Sequence, residues 1–108
     1  MISIPLKSIY SYSFSVILEQ VNYRMKFNWS DKEDAWFFDI YSRSNEPLIL
    51  GHKLLYNNST LIKHHANSEV PQGEFILVAG ESGELLRPTF NSISKGDVLY
   101  YATSDELA

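Results

Sequence analysis

The chain has 108 residues, 9 Lys+Arg against 13 Asp+Glu, a formal net charge of −4 and no Cys. That length suits a single domain spanning 1–108, and the lack of Cys excludes a disulfide framework, Cys-ligated zinc and a thiol nucleophile. A 44% hydrophobic and 20% charged composition is globular, and the negative balance argues against a partner held through nucleic-acid phosphates.

Residues 1–5 carry no basic region and read as no secretory signal. No apolar run approaches the ~20 residues that span a bilayer. From residue 10 to 18 the large side chains fall on alternate positions, Tyr10, Tyr12, Phe14, Val16 and Leu18, with Ser11, Ser13, Ser15 and Ile17 between. The alternation restarts as Val21, Tyr23, Met25, Phe27 and Trp29, separated by Asn22, Arg24, Lys26 and Asn28. Period two is the signature of half-buried strands. A two-residue loop at Glu19-Gln20 sets Leu18 opposite Val21, Val16 opposite Tyr23, Phe14 opposite Met25 and Tyr12 opposite Phe27. That register puts the large residues on one face. Such loops require positive φ and favour Asn-Gly or Asp-Gly, so Glu-Gln is a poor local fit.

Residues 30–34 form a polar loop before Ala35-Trp36-Phe37-Phe38-Asp39-Ile40-Tyr41. With Trp36 opposite Trp29, Phe38 meets Phe27 and Ile40 meets Met25, while Phe37 and Tyr41 point the other way. Residues 43–47 make a turn, and Leu48-Ile49-Leu50 a short fourth strand that Gly51 ends. Ser59 or Thr60 caps one helical turn over residues 61–65. Glu74-Phe75-Ile76-Leu77-Val78-Ala79 is a near-continuous apolar strand, residues 80–84 a loop, and residues 97–103 the last strand. Residues 104–108 read as a frayed polar tail. The expectation is an all-β fold, a small antiparallel β-barrel or sandwich of about six strands with one short helical turn.

Reactive constellations are few. His52, His64 and His65 form the only histidine group, without His-x-x-x-His spacing. Asp31, Glu33 and Asp34 imitate part of a calcium loop, but Lys32 intrudes and no closing Glu follows. Gly80-Glu81-Ser82-Gly83-Glu84 lacks the second glycine of a nucleophile elbow. No enzyme activity, metal or cofactor is expected.

Aromatic residues make up 14% of the chain. Phe14, Val16, Tyr23, Phe27, Trp29, Trp36, Phe38 and Ile40 define the core pattern, where packing explains them. Phe37, Tyr41 and one of the adjacent pair Tyr100 and Tyr101, taken as Tyr101, fall outside it. These three are the candidate protein interface. The alternative is a small OB-like barrel binding an oligosaccharide or protein ligand through strand-face aromatics.

The landmarks also occur in a recognisable order: Ile4-Pro5-Leu6, Phe14-Ser15-Val16, Leu18, Tyr23, Phe27-Asn28-Trp29, an acidic tip, then the Ala35 to Tyr41 strand. Pro47-Leu48, Gly51, Leu61-Ile62, His64, Pro71-Gln72-Gly73-Glu74-Phe75, Pro88-Thr89, Gly96-Asp97-Val98-Leu99 and Tyr100 follow. This order resembles the baseplate plug proteins of contractile-tailed bacteriophages, from Ile4 to Tyr101. It departs from that family at Glu19-Gln20, where Asp-Gly or Asn-Gly is usual, and at Asp34, where Gly is usual. The resemblance implies a structural virion protein closing the distal end of the tail tube. Its implied partners are the baseplate hub, spike and tail tube proteins, in a homotrimer around the tail axis. It also implies assembly in the host cytoplasm, with no membrane and no specific nucleic acid.

Overall fold

A computed structural model describes residues 2–56, 61, 67, 69–79, 88–91, 93 and 96–107. In chain order the elements are β1 (Ile2–Ile4), β2 (Ser11–Leu18), β3 (Val21–Ser30), β4 (Ala35–Tyr41), β5 (Pro47–Lys53), β6 (Glu74–Val78), β7 (Val98–Ala102) and α1 (Ser104–Leu107). They form a four-stranded antiparallel sheet, β2-β3-β4-β5, and a three-stranded one, β1-β7-β6. One apolar core is shared by both inner faces: Phe27, Trp36, Phe38 and Ile40 from the first, Phe75, Leu77, Leu99 and Tyr101 from the second. Among the described residues the fold is therefore a sandwich with open sheet edges, not a closed barrel.

Alternation drives the larger sheet into register. Leu18 lies opposite Val21, Val16 opposite Tyr23, Phe14 opposite Met25 and Tyr12 opposite Phe27. Across the next hairpin Trp29 meets Trp36, Phe27 meets Phe38 and Met25 meets Ile40. The first turn adopts its expected length with Glu19 at φ 51° and Gln20 at φ 69°, the left-handed pair of a type I′ turn. At the second tip Asp34 has φ 51°, and Ser30 Oγ accepts a hydrogen bond from Glu33 N at 3.2 Å.

Three local expectations change. Ile2–Ile4 is a strand, pairing Ile2 with Tyr101 and Ile4 with Leu99; three residues carry too short a pattern to announce it. Gly51 does not end β5. It sits at φ 63° inside the strand, beside register shifts against β4, and its N–H donates to Asp39 Oδ1 at 2.6 Å. The Asp39 carboxylate thus satisfies a backbone donor that the bulge displaces from the ladder. Finally, the tail is ordered as α1 by a capping box: Glu106 N donates to Thr103 Oγ1 at 3.2 Å and Thr103 N to Glu106 Oε1 at 3.0 Å. The described residues hold seven strands, in line with the about six expected. The helical turn expected over 61–65 lies outside the described residues except for Leu61. That residue is fully buried, its N–H donating to Glu74 Oε1 at 2.7 Å.

Candidate interaction surface

The residues of the core pattern divide by depth. Tyr23, Phe27, Trp36, Phe38 and Ile40 are buried, whereas Phe14, Val16 and Trp29 are partly buried against the same cluster. At one end Phe90 completes an aromatic group: its ring stacks on Trp36 at 5.6 Å and on Tyr10 at 4.6 Å, and meets Trp29 edge-on at 5.6 Å. Nothing in the local sequence around Phe90 marks it, because the segment carrying it has no periodic pattern.

Residues opposite one another across a ladder share a face, so burying this set exposes its alternates. On the outer face of the larger sheet Asn28, Phe37 and Lys53 form one row behind Ser11. Lys26 and Asp39 form the next behind Ser13, and Arg24 and Tyr41 the third behind Ser15. Phe37 and Tyr41 are half-buried there, four residues and roughly 13 Å apart along β4. Ser13, Arg24, Lys26, Tyr41 and Asn45 line a shallow depression of about 260 Å³. Arg24 Nη2 donates to Ser13 Oγ at 3.2 Å, drawing the guanidinium toward β2. In an acidic chain this face is locally basic, since its rows carry Arg24, Lys26 and Lys53 against the single acid Asp39.

Tyr101 is not on this surface. It is 1% exposed, on the inner face of the other sheet, and its neighbour Tyr100 is the outward member of the pair. Pairing of Tyr101 with Phe75 decides this: the inner face of β6 carries Phe75 and Leu77, so Leu99 and Tyr101 must point inward too. The Tyr101 hydroxyl donates to Glu19 Oε2 and accepts from Gly73 N at 2.8 Å. Burial first, and then the bond to Glu19, push its pKa well above the ordinary tyrosine range. The Ser104 hydroxyl first, and then Tyr101, hold the Glu19 carboxyl below its ordinary value. Ser104 donates to Glu19 Oε1 through Oγ at 2.6 Å and through N at 3.1 Å. Tyr101 therefore locks the tip of the β2–β3 hairpin to the second sheet.

The other candidate groups do not converge on a site. Asp31 Oδ1 accepts the Trp29 indole N–H at 2.7 Å, so the acidic tip braces an aromatic side chain. The His52 ring stacks on Phe38 at 5.3 Å. His64, His65 and Ser82 lie outside the described residues. Among the described residues no cluster of His, Cys, Asp or Glu could hold a metal ion, and no helix is long and apolar enough to cross a membrane.

The fold is an antiparallel sandwich whose larger sheet carries aromatic and basic side chains on its outer face. Comparison with protein families supplies its class. The family model described as cyanophage baseplate Pam3 plug gp18 matches residues 1–105, and the chain belongs to that family of phage baseplate plugs. It is thus a structural phage component, associated with other tail and baseplate proteins in the virion. No curated protein matches it.

Proposed function

We propose that the chain acts as one domain that closes the distal end of the tail tube beside the hub and spike. Three copies stand around the tail axis, after assembly in the host cytoplasm. The mechanism is contact without catalysis: the core pattern keeps the sheet rigid, and Phe37 and Tyr41 are the residues that neighbouring subunits grip. The observation carrying this reading is the position of these two rings. Both stand on the solvent side of β4, whose opposite side, Trp36, Phe38 and Ile40, is already filled by core. Folding alone gives them no such outward role, whereas a subunit interface does.

The test replaces each in turn by Asp and complements a phage lacking the wild-type copy. Thermal unfolding of Phe37→Asp and Tyr41→Asp is expected to stay close to wild type while complete tails drop at least tenfold. Normal infectious particles from both variants would remove this face from the interface. A two-fold or monomeric arrangement in a reconstructed tail tip would overturn the three-fold part separately.

A further inference from the structure

We propose that the outer edge of β2 is a strand-addition site for an extended segment of a partner protein bearing acidic side chains on alternate residues. β2 ends its sheet, and among the described residues no strand pairs with its far side. Trp29 N donates to Tyr10 O at 2.8 Å, which sets the phase of the β2–β3 ladder. Tyr12, Phe14, Val16 and Leu18 therefore spend their backbone groups on β3, and Ser11, Ser13, Ser15 and Ile17 turn theirs outward. All four of these residues are exposed, Ile17 at 65%.

Open edges are normally blunted by a charge, a proline, a bulge or short length. β5 has Pro47 and two register shifts, and β1 is three residues long. β2 has none of these: its eight residues, SYSFSVIL, are uncharged and pair with β3 without irregularity. The side chains beside the edge define the occupant. On the outer side the serines are small enough for Arg24 to lie across them to Ser13, with Lys26 opposite Ser13. An added strand lies ~4.8 Å from β2, so its outward side chains opposite Ser13 and Ser15 come within reach of Arg24 and Lys26 and meet no acid from β2 or β3; the one acid of these rows, Asp39, lies on β4 beyond Lys26 and accepts from Gly51 N. On the inner side Tyr12, Phe14 and Val16 are only half-buried and would be covered by apolar residues of the same strand. The fitting partner alternates acidic and apolar side chains, with backbone bonds supplying affinity and Arg24 and Lys26 the selection. A second copy of β2 fits poorly, because it brings another Arg24 and Lys26 to the same face.

The probe is a synthetic eight-residue peptide alternating valine and glutamate, observed by amide hydrogen exchange on the whole chain. In the free protein the amides of Ser11, Ser13, Ser15 and Ile17 are expected to exchange about 100-fold faster than those of Tyr12, Phe14 and Val16. Peptide should slow those four at least tenfold. N-methylating its edge-facing amides should abolish that protection, and an alternating valine–lysine peptide should bind at least tenfold more weakly. Arg24→Glu with Lys26→Glu, both on the outer face and away from the core, should reverse the preference between the two peptides. Slow exchange at the four amides without peptide, including in a dimer seen by sedimentation, would overturn the proposal. So would failure of the glutamate peptide to bind, equal binding of both peptides, or binding indifferent to N-methylation.

Discussion

Trp36 shows how one side chain can hold several parts of the fold. It has no exposed surface, its indole N–H donates to Thr89 O at 3.1 Å, and its ring packs against both Trp29 and Phe90. Trp36→Ala empties that space and removes the bond to Thr89 O, an expected loss of ~3–5 kcal/mol in urea unfolding. Lys32→Ala, at the exposed β3–β4 tip, should stay within ~0.5 kcal/mol. Equal effects from the two would contradict the pairing of Trp29 with Trp36. The same scale shows where alternation stops being readable. Phe37 and Phe38 are assigned to opposite faces by the long pattern around them, but the Tyr100-Tyr101 pair sits in a short strand with apolar residues on both sides. Only its pairing with β6 decides which ring is inside.

The hairpins separate local from tertiary causes. Glu19 and Gln20 both adopt left-handed backbone, which costs a non-glycine residue roughly 1–2 kcal/mol. Two things hold Glu19 there: eight consecutive pairs between β2 and β3, and its carboxylate bonds to Tyr101 and Ser104. Gln20→Gly should therefore stabilise the protein by about 1 kcal/mol, since no bond of its side chain is part of the lock. Glu19→Asn improves the turn chemistry yet shortens the side chain away from its partners, and should lower stability overall. Chemical denaturation of the two variants gives opposite signs if the lock outweighs the turn. A gain from Glu19→Asn would show that local backbone preference dominates. The meander and its register were legible because three long amphipathic strands follow one another through short loops. The extension of β5 through Gly51 was not, because a bulge glycine and a terminating glycine look alike until Asp39 is seen accepting its N–H. The α1 capping box was present in Thr103-Ser104-Asp105-Glu106, but a single turn has too little periodicity to stand out.

The two sheets close over one core and are pinned at one end by polar contacts. Phe38 meets Phe75 edge-on at 5.8 Å between the sheets, and the chain Gly73, Tyr101, Glu19, Ser104 joins three elements far apart in sequence. Gly73 is required there: a Cβ would come within 3.0 Å of Ala102 O and the Tyr101 ring. Because the Glu19 carboxyl is held below its ordinary value of 4.5, the folded protein binds fewer protons there than the unfolded chain. Its contribution is full above about pH 4.5 and is lost as pH falls through the lower folded value. The stability gap between wild type and Glu19→Gln should accordingly be wider at pH 7 than at pH 3, read from urea midpoints. A gap independent of pH would mean that charge on Glu19 plays no part in the lock. The basic outer face was only partly visible beforehand. Phe37 and Tyr41 could be assigned to it from their phase, whereas the convergence of Arg24, Lys26 and Tyr41 around one depression needed the cross-strand register.

Alternation is a property of a single strand, so the chain alone determined the antiparallel meander, its aromatic inner side and the outward phase of Phe37 and Tyr41. It carried the baseplate plug likeness for a related reason: that likeness is an ordered series of strand and turn residues along the chain. Tertiary structure decided the rest, namely, among the described residues, two open sheets in place of a closed barrel and an unpaired outer side of β2, together with the inward turn of Tyr101 and the added strand at Ile2–Ile4. Each of these depends on which distant backbone supplies a hydrogen-bond partner or a packing surface, and no local period encodes that choice.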